Sequence, residues 1–361
     1  MKGKASKPET TGGDSRPFRL IVHIGAGKTG TSSIQNTLRV ATLKLRETGT
    51  IYLGLMFETG APKLYPWQSP RTIENFYQLD EDVARSQLRR LLRQTIRQAR
   101  DDGMHCAIWS NETLFSRSSS ALSVLKELEA EGTDVEIIAY VRRHDQWARS
   151  AYVQWALKHK TNSGPLRTFA EFIERRPPAF AFALTPWHEV FRNKLILRNA
   201  DATSDTVGDF LETLGLSILG VEGTRNNQTP PTEELLLRAV FNSQFNSKVK
   251  TTAFTTAMGN GPLPFDVSLT DWLARYMPSE NQLNELINTC AVDRRQVDKW
   301  LISGDQPAID TVPMIAKPLD VDSDKVVLAL THVVMRLAHR VTELEKQLTL
   351  GHPPDPIVDK G

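Results

Sequence analysis

Short, continuous apolar runs alternate with longer amphipathic stretches along much of the chain. The runs have the length and composition of buried strands, at 18–24 (FRLIVHI), 105–110 (HCAIWS), 135–141 (VEIIAYV) and 194–197. Between them, apolar residues recur at helical spacing, at about residues 30–47, 81–100 and 119–131. This alternation predicts an α/β fold, a three-layer sandwich with a mostly parallel central sheet and helices on both faces.

The pattern becomes helical from about residue 230 and is interrupted by a proline-containing segment at 305–323. We interpret 18–304 as one domain, 305–323 as a linker, 1–17 as a disordered tail and 351–361 as a second tail. A final helix at 324–350 carries apolar residues alternately four and three positions apart: Leu330, Val334, Leu337, Val341, Leu344 and Leu348. This spacing is typical of a coiled coil. It leaves two interpretations open, packing on the helix's own domain and self-association into a homo-oligomer.

Charge and cysteine content narrow the class of protein. The 361 residues hold 44 basic and 42 acidic side chains, so the overall charge gives no reason to expect a nucleic-acid partner. The two cysteines form no CxxC or Cys/His cluster, which argues against structural zinc and is typical of a reducing compartment. With neither a signal peptide nor a membrane-spanning run in the sequence, we expect a cytoplasmic protein.

The segment HIGAGKTGTSSIQ, residues 23–35, is the strongest chemical signal. A strand that breaks at glycines and restarts as a helix directs backbone N–H groups and the positive helix end at an anion. We predict that phosphate-rich nucleotide groups bind here, to Gly25, Gly27, Lys28, Thr29, Gly30, Thr31 and Ser32. In a parallel sheet the strand ends meet at one edge, so Glu112 and Arg142 are expected to lie near this loop.

The loop differs from a Walker motif. That motif needs a glycine five residues before its Gly-Lys pair, and Val22 stands there. No apolar run ends in the aspartate that would hold magnesium, because the second ends in Asn111-Glu112 and the third in Arg142-Arg143. The sequence therefore predicts a nucleotide site that needs no metal ion.

These residues resemble the 5′-phosphosulfate loop of the sulfotransferase family, in particular its bacterial branch that acts on carbohydrates. The match comprises Lys28, Gly30, Thr31 and Ser32. The family's second signature is an Arg at a strand end and a Ser eight residues later, matched by Arg142 and Ser150. The resemblance implies a P-loop NTPase-like fold, the donor 3′-phosphoadenosine 5′-phosphosulfate (PAPS), and contacts of Arg142 and Ser150 with its 3′-phosphate. The family's usual Pro after the Arg is replaced here by the stretch 144–146.

Sulfuryl transfer needs a base for the acceptor hydroxyl and positive charge at the leaving oxygen. Lys28 suits the second role. Glu112 is the first candidate for the base and His23 its rival, although a carboxylate at Glu112 would also suit a helix cap and a buried His is often a core residue. The expected acceptor is a hydroxyl of a carbohydrate or small metabolite. The alternatives are a nucleotide kinase or NTPase, and a non-catalytic nucleotide-binding relative.

Overall fold

The computed structural model of the chain describes residues 17–216, 232–243, 245–250, 269–312 and 319–350. The predicted tails, apart from Pro17, and the linker positions 313–318 lie outside this set. The contacts divide the described residues into two compact units, each built from segments distant in sequence. The first unit takes the described residues of Met1–Arg143, Ala179–Asn227 and Cys290–Asp310, and the second takes those of His144–Pro178, Gln228–Thr289 and Thr311–Gly361.

A parallel sheet forms the centre of the first unit. Among the described residues its strands are β1 (Arg19–His23), β2 (Thr50–Tyr52), β3 (Cys106–Ser110), β4 (Asp134–Val141) and β5 (Leu195–Asn199). They lie in the order β2-β3-β1-β4-β5, and each adjacent pair is parallel. The central strand β1 is hydrogen-bonded to β3 and β4, and His23 lies opposite Ser110. The sheet confirms the predicted α/β class.

The helices are named here in chain order. They are α1 (Thr31–Val40), α2 (Thr42–Glu47), α3 (Ile73–Tyr77), α4 (Glu81–Asp101), α5 (Ser119–Ala130), α6 (His144–Tyr152), α7 (Phe169–Arg175), α8 (Phe180–Phe191), α9 (Thr206–Thr213), α10 (Thr232–Ser243), α11 (Leu269–Ala274), α12 (Glu280–Thr289), α13 (Ala291–Ser303) and α14 (Ser323–Leu350). A π-helical segment, Val153–Lys158, continues α6.

Helices cover both faces of the sheet in the first unit. Ile34 and Leu38, one turn apart on α1, pack with Phe210 of α9 in the same buried cluster as Ile21 of β1 and Ile138 of β4. Neighbouring strand residues face opposite sides, and on the other side α5 and α8 contact β4 while α13 contacts β5. These are the three layers predicted from the alternation of strands and helices.

Two details differ from the sequence-based elements. The helix predicted over 30–47 is two helices, because Ala41 leaves helical geometry at φ −82° and ψ 8° and separates α1 from α2. The edge strand β2 was not predicted. It has only three residues and follows a turn at Gly49, so it is too short to show a periodic pattern.

The second unit is helical and has its own small core. Leu236 and Val240 of α10 pack there with Leu273 of α11 and Val326 of α14. The ammonium group of the buried Lys160 donates to the backbone carbonyls of Asn162 at 3.0 Å and Ser247 at 2.9 Å, and burial lowers its pKa. Within the described parts of both units, no helix is long and apolar enough to cross a membrane.

Candidate nucleotide-binding site

The loop between β1 and α1 forms a compact turn at the carboxyl end of the central strand. Lys28 and Gly30 have positive φ angles of 74° and 92°. Gly30 is the N-cap of α1 and accepts the N–H groups of Ser33 and Ile34, and the first turn of α1 holds no acidic residue. A Cβ at Gly30 would lie 3.0 Å from the Thr206 methyl group, so glycine suits both the backbone angle and the packing. The positive end of α1 therefore starts within the loop.

Two buried polar atoms lie close to the Cα of Gly25, on the side where a side chain would project. A Cβ built on Gly25 would lie 2.7 Å from Nε2 of His23 and 3.1 Å from Oγ1 of Thr31. Both side chains are buried, and neither of these two atoms has a hydrogen-bond partner among the described residues. Since buried polar atoms are nearly always hydrogen-bonded in folded proteins, such a pair indicates a place where a polar ligand atom binds. The glycine leaves that place accessible.

His23 is fixed in a neutral form by its surroundings. Its Nδ1 shares a hydrogen bond of 2.8 Å with Oγ of Ser110, and its ring packs against the rings of Phe210 at 5.2 Å and Tyr140 at 6.1 Å. Complete burial lowers the pKa of His23 to about 3, because the imidazolium would lose its hydration. If the Ser110 hydroxyl donates to Nδ1, then Nε2 carries the proton and points a donor at the space above Gly25.

Because His23 is buried in its neutral form, we expect the folded chain to lose stability in acid. Its pKa is about 3 in the folded chain and near 6.5 when unfolded, so the unfolded chain binds more protons between these values. The free energy of unfolding should therefore fall as the pH drops below 6.5, with a slope from this residue approaching about 1.4 kcal/mol per pH unit. Urea unfolding at several pH values should show a shallower slope in His23→Gln. His105→Gln, at an exposed position, is the matched control, and an equal slope in all three proteins would contradict the assignment.

The hydroxyl groups of the loop have different surroundings. Oγ1 of Thr29 donates to the carbonyl of Ala26 at 2.5 Å, so its proton stabilises the loop itself. Ligand binding by Thr29 stays a prediction, because its backbone N–H is not involved in this contact. Thr31 has the buried oxygen described above, and Ser32 is exposed on the first turn of α1. Thr31 is consequently the best-placed hydroxyl donor toward Gly25.

Arg142 joins the end of β4 to the loop. Its Nη1 donates to the backbone carbonyl of Lys28 at 3.2 Å, and its Nη2 lies 3.1 Å from Oδ1 of Asp201. The other oxygen of Asp201 accepts the backbone N–H of Arg143 at 2.6 Å. The Arg142 side chain thus links Asp201 to the carbonyl of Lys28, the residue with the positive φ angle. Ser150 is partly buried on α6 in the second unit, so its pairing with Arg142 remains a prediction.

Glu112 also lies beside the loop, at the end of β3. Nε2 of Gln35, on α1, donates to Oε2 of Glu112 at 2.7 Å and to the carbonyl of Ser110 at 3.2 Å. The backbone N–H of Asn111 donates to the carbonyl of His23 at 2.9 Å. The structure thus brings Gly25–Lys28, Glu112 and Arg142 together at one edge of the sheet. Gln35 was not predicted, although it lies one helical turn after Thr31.

Similarity to known proteins does not assign this chain to a family. No protein-family model and no curated protein matches the chain. The solved structure of the sulfotransferase domain from the Synechococcus PCC 7002 olefin synthase is similar to it at 10% sequence identity, over 79% of this chain and 98% of that one, with a TM-score of 0.26. At this identity and TM-score the similarity assigns no function, which has to rest on the residues of the loop.

Proposed function

We propose that this chain is a sulfotransferase that moves a sulfuryl group from PAPS to a hydroxyl of a carbohydrate or small-metabolite acceptor. The observation that carries the proposal is the pair of buried, unpartnered polar atoms of His23 and Thr31 above Gly25, at the amino end of α1. Their position in a loop with the residues of a 5′-phosphosulfate motif favours a sulfated nucleotide over a generic anion. The missing Walker glycine at Val22 supports the same choice.

The loop residues can stabilise the charge that develops on the leaving phosphate. Oxygen atoms of the 5′-phosphosulfate would accept from the Thr31 hydroxyl and from a neutral Nε2–H of His23, and they would approach Gly25 closely. The helix end and the Lys28 ammonium add positive charge at the bond that breaks. Arg142, held by Lys28 and Asp201, would contact the 3′-phosphate together with Ser150. None of these contacts needs a metal ion.

Glu112 suits the role of general base better than His23. A base acts best when its pKa lies near the working pH, and burial lowers the pKa of His23 to about 3. Its neutral imidazole is therefore a better hydrogen-bond donor than a proton acceptor here. Glu112 is partly exposed at the neighbouring strand end, and Gln35 orients its carboxylate. In this arrangement the acceptor hydroxyl loses its proton to Glu112 as its oxygen attacks sulfur and the bond to the donor's phosphate oxygen breaks.

Ligand binding tests the proposal directly. Thermal shift and calorimetry should show that 3′,5′-ADP, the product of the donor, binds without magnesium and more tightly than ADP or ATP. Saturation to 100 times Kd would raise the free energy of unfolding by about 2.7 kcal/mol. Preference for ATP with magnesium would support the kinase or NTPase alternative instead. Binding of 3′,5′-ADP without transfer to any acceptor in a broad panel would support the non-catalytic relative.

Gly25→Ala should weaken 3′,5′-ADP binding. The added methyl group would lie 2.7 Å from Nε2 of His23 and 3.1 Å from Oγ1 of Thr31, in the space proposed for the ligand atom. Overpacking of this kind costs about 1–3 kcal/mol, equivalent to roughly a fivefold to 150-fold loss of affinity if it acts on the bound state. Calorimetry gives the affinity. Gly304→Ala is the control, because Gly304 has a φ of −101° and its added methyl group would make only ordinary contacts at 3.6 Å. Unchanged affinity in Gly25→Ala would argue against ligand contact at this position.

A further inference from the structure

The last helix, α14, carries two adjacent apolar stripes with different surroundings. The first includes Val326, which is buried, and Leu330, which packs against the core of the second unit formed by Leu236, Val240 and Leu273. This stripe anchors the start of the helix to its own unit. The first turns of α14 therefore pack on their own unit, which is one of the two interpretations of this helix. The later turns are not explained by this packing.

The second stripe is exposed. Val334 is 61% exposed, Val341 52% and Leu344 51%, and these residues are seven and three positions apart. Solvent-facing positions of a helix are normally polar, and valine is a weaker helix former than the charged residues usually found there. Helix propensity therefore does not explain why valine recurs at the same face one heptad later. An apolar surface with this spacing is typical of a helix that pairs with another helix.

The heptad pattern favours a second copy of this chain as the partner. Valines 327, 334 and 341 fall at position a, leucines 330, 337 and 344 at position d, and Leu348 at the next a. Among parallel coiled coils, valine at a with leucine at d favours two strands. In a parallel, in-register pair, Arg340 at position g and Glu345 at position e of the other copy would place opposite charges across the seam.

We infer that residues 334–348 of two copies pair as a parallel coiled coil and make the protein a homodimer. The seam begins at Val334 because Leu330 is already packed against its own unit. Each copy keeps its first stripe on its own core and contributes its second stripe to the pair. The inference is independent of the proposed sulfotransferase activity, because it involves only α14.

Molar mass in solution tests the pairing. Light scattering of the full chain should give a dimeric mass, and the double variant Val334→Asp/Val341→Asp should give a monomeric one. Leu328→Asp is the matched control, because Leu328 is equally apolar and 58% exposed but lies at position b, off the seam. It should remain dimeric. A monomeric wild-type chain would overturn the inference, as would a double variant that stays dimeric while its circular dichroism is unchanged.

Cross-linking tests the parallel orientation. Equivalent a positions face each other in a parallel pair, so oxidised Val341→Cys should run as a covalent dimer on a non-reducing gel. Leu328→Cys should cross-link far less, and the native Cys106 and Cys290 are buried, so they provide a low background. A dimeric mass without a Val341→Cys cross-link would overturn the parallel arrangement.

Discussion

Replacing Lys28 with Met is expected to lower turnover with PAPS by about 10²–10³-fold, the usual cost of removing one group that stabilises transition-state charge. The proposed role of the Lys28 ammonium is to stabilise the charge that appears on the phosphate oxygen as the sulfuryl group leaves. Its backbone at φ 74° is held by the Arg142 contact with its carbonyl, so the loop should keep its shape without the ammonium group. Methionine retains a long, unbranched side chain of similar size.

Release of 3′,5′-ADP from PAPS measures this turnover, with an acceptor identified from a panel of glycans and small hydroxyl compounds. The thermal unfolding midpoints of Lys28→Met and the wild-type chain, measured side by side, separate an effect on chemistry from an effect on folding. Lys126→Met is the matched control, because Lys126 is an exposed lysine on α5 with no proposed role in the site, and it should keep wild-type activity. Wild-type turnover in Lys28→Met would exclude the ammonium group from the chemical step.

The central strands could be predicted because their burial leaves a continuous apolar signal. Residues 20–22 of β1 are fully buried, as expected for an inner strand of a parallel sheet. The signal fails at the edge, where β2 has three residues, and inside the predicted helix over 30–47, where a single residue, Ala41, ends α1. Neither a very short strand nor a one-residue break changes the apolar periodicity over a window of a dozen residues.

The sequence also located the loop, because glycine, lysine and hydroxyl residues within one short segment indicate anion binding. It could not show how these groups divide their hydrogen bonds. The Thr29 hydroxyl donates to a carbonyl of the loop itself. The Thr31 oxygen and Nε2 of His23 instead both lie beside Gly25. This difference depends on the path of the backbone through two positive φ angles, which composition does not specify.

Supporting contacts between distant segments left no sequence signal. Asp201 lies 59 residues from Arg142, and Gln35 lies 77 residues from Glu112, yet each pair is joined by a hydrogen bond. The spacing of apolar residues predicts which side chains are neighbours within one helix or strand, such as Ile34 and Leu38 on α1. Contacts across a sheet edge depend on strand order, and only the order β3-β1-β4 brings these particular strand ends together.

Glu112→Gln should lower turnover by about 10²–10⁴-fold without changing 3′,5′-ADP affinity, as expected for loss of a general base. Glutamine has the shape of glutamate and keeps an oxygen that can accept the hydrogen bond from Gln35. The substitution therefore removes proton affinity and little else. The two measurements are turnover with saturating PAPS and calorimetry with 3′,5′-ADP.

Gln35→Leu separates positioning from proton transfer. It removes the N–H donor that holds the Glu112 carboxylate at 2.7 Å but keeps the carboxylate itself. Misplacement of a catalytic group costs up to about a hundredfold, so its turnover should lie between those of the wild type and Glu112→Gln, with donor affinity unchanged. If Gln35 acts through Glu112, the two losses should not add in the double variant. Additive losses would show that its second hydrogen bond, to the Ser110 carbonyl, matters as well. Full activity of Glu112→Gln combined with an inactive, folded His23→Gln would instead make His23 the base.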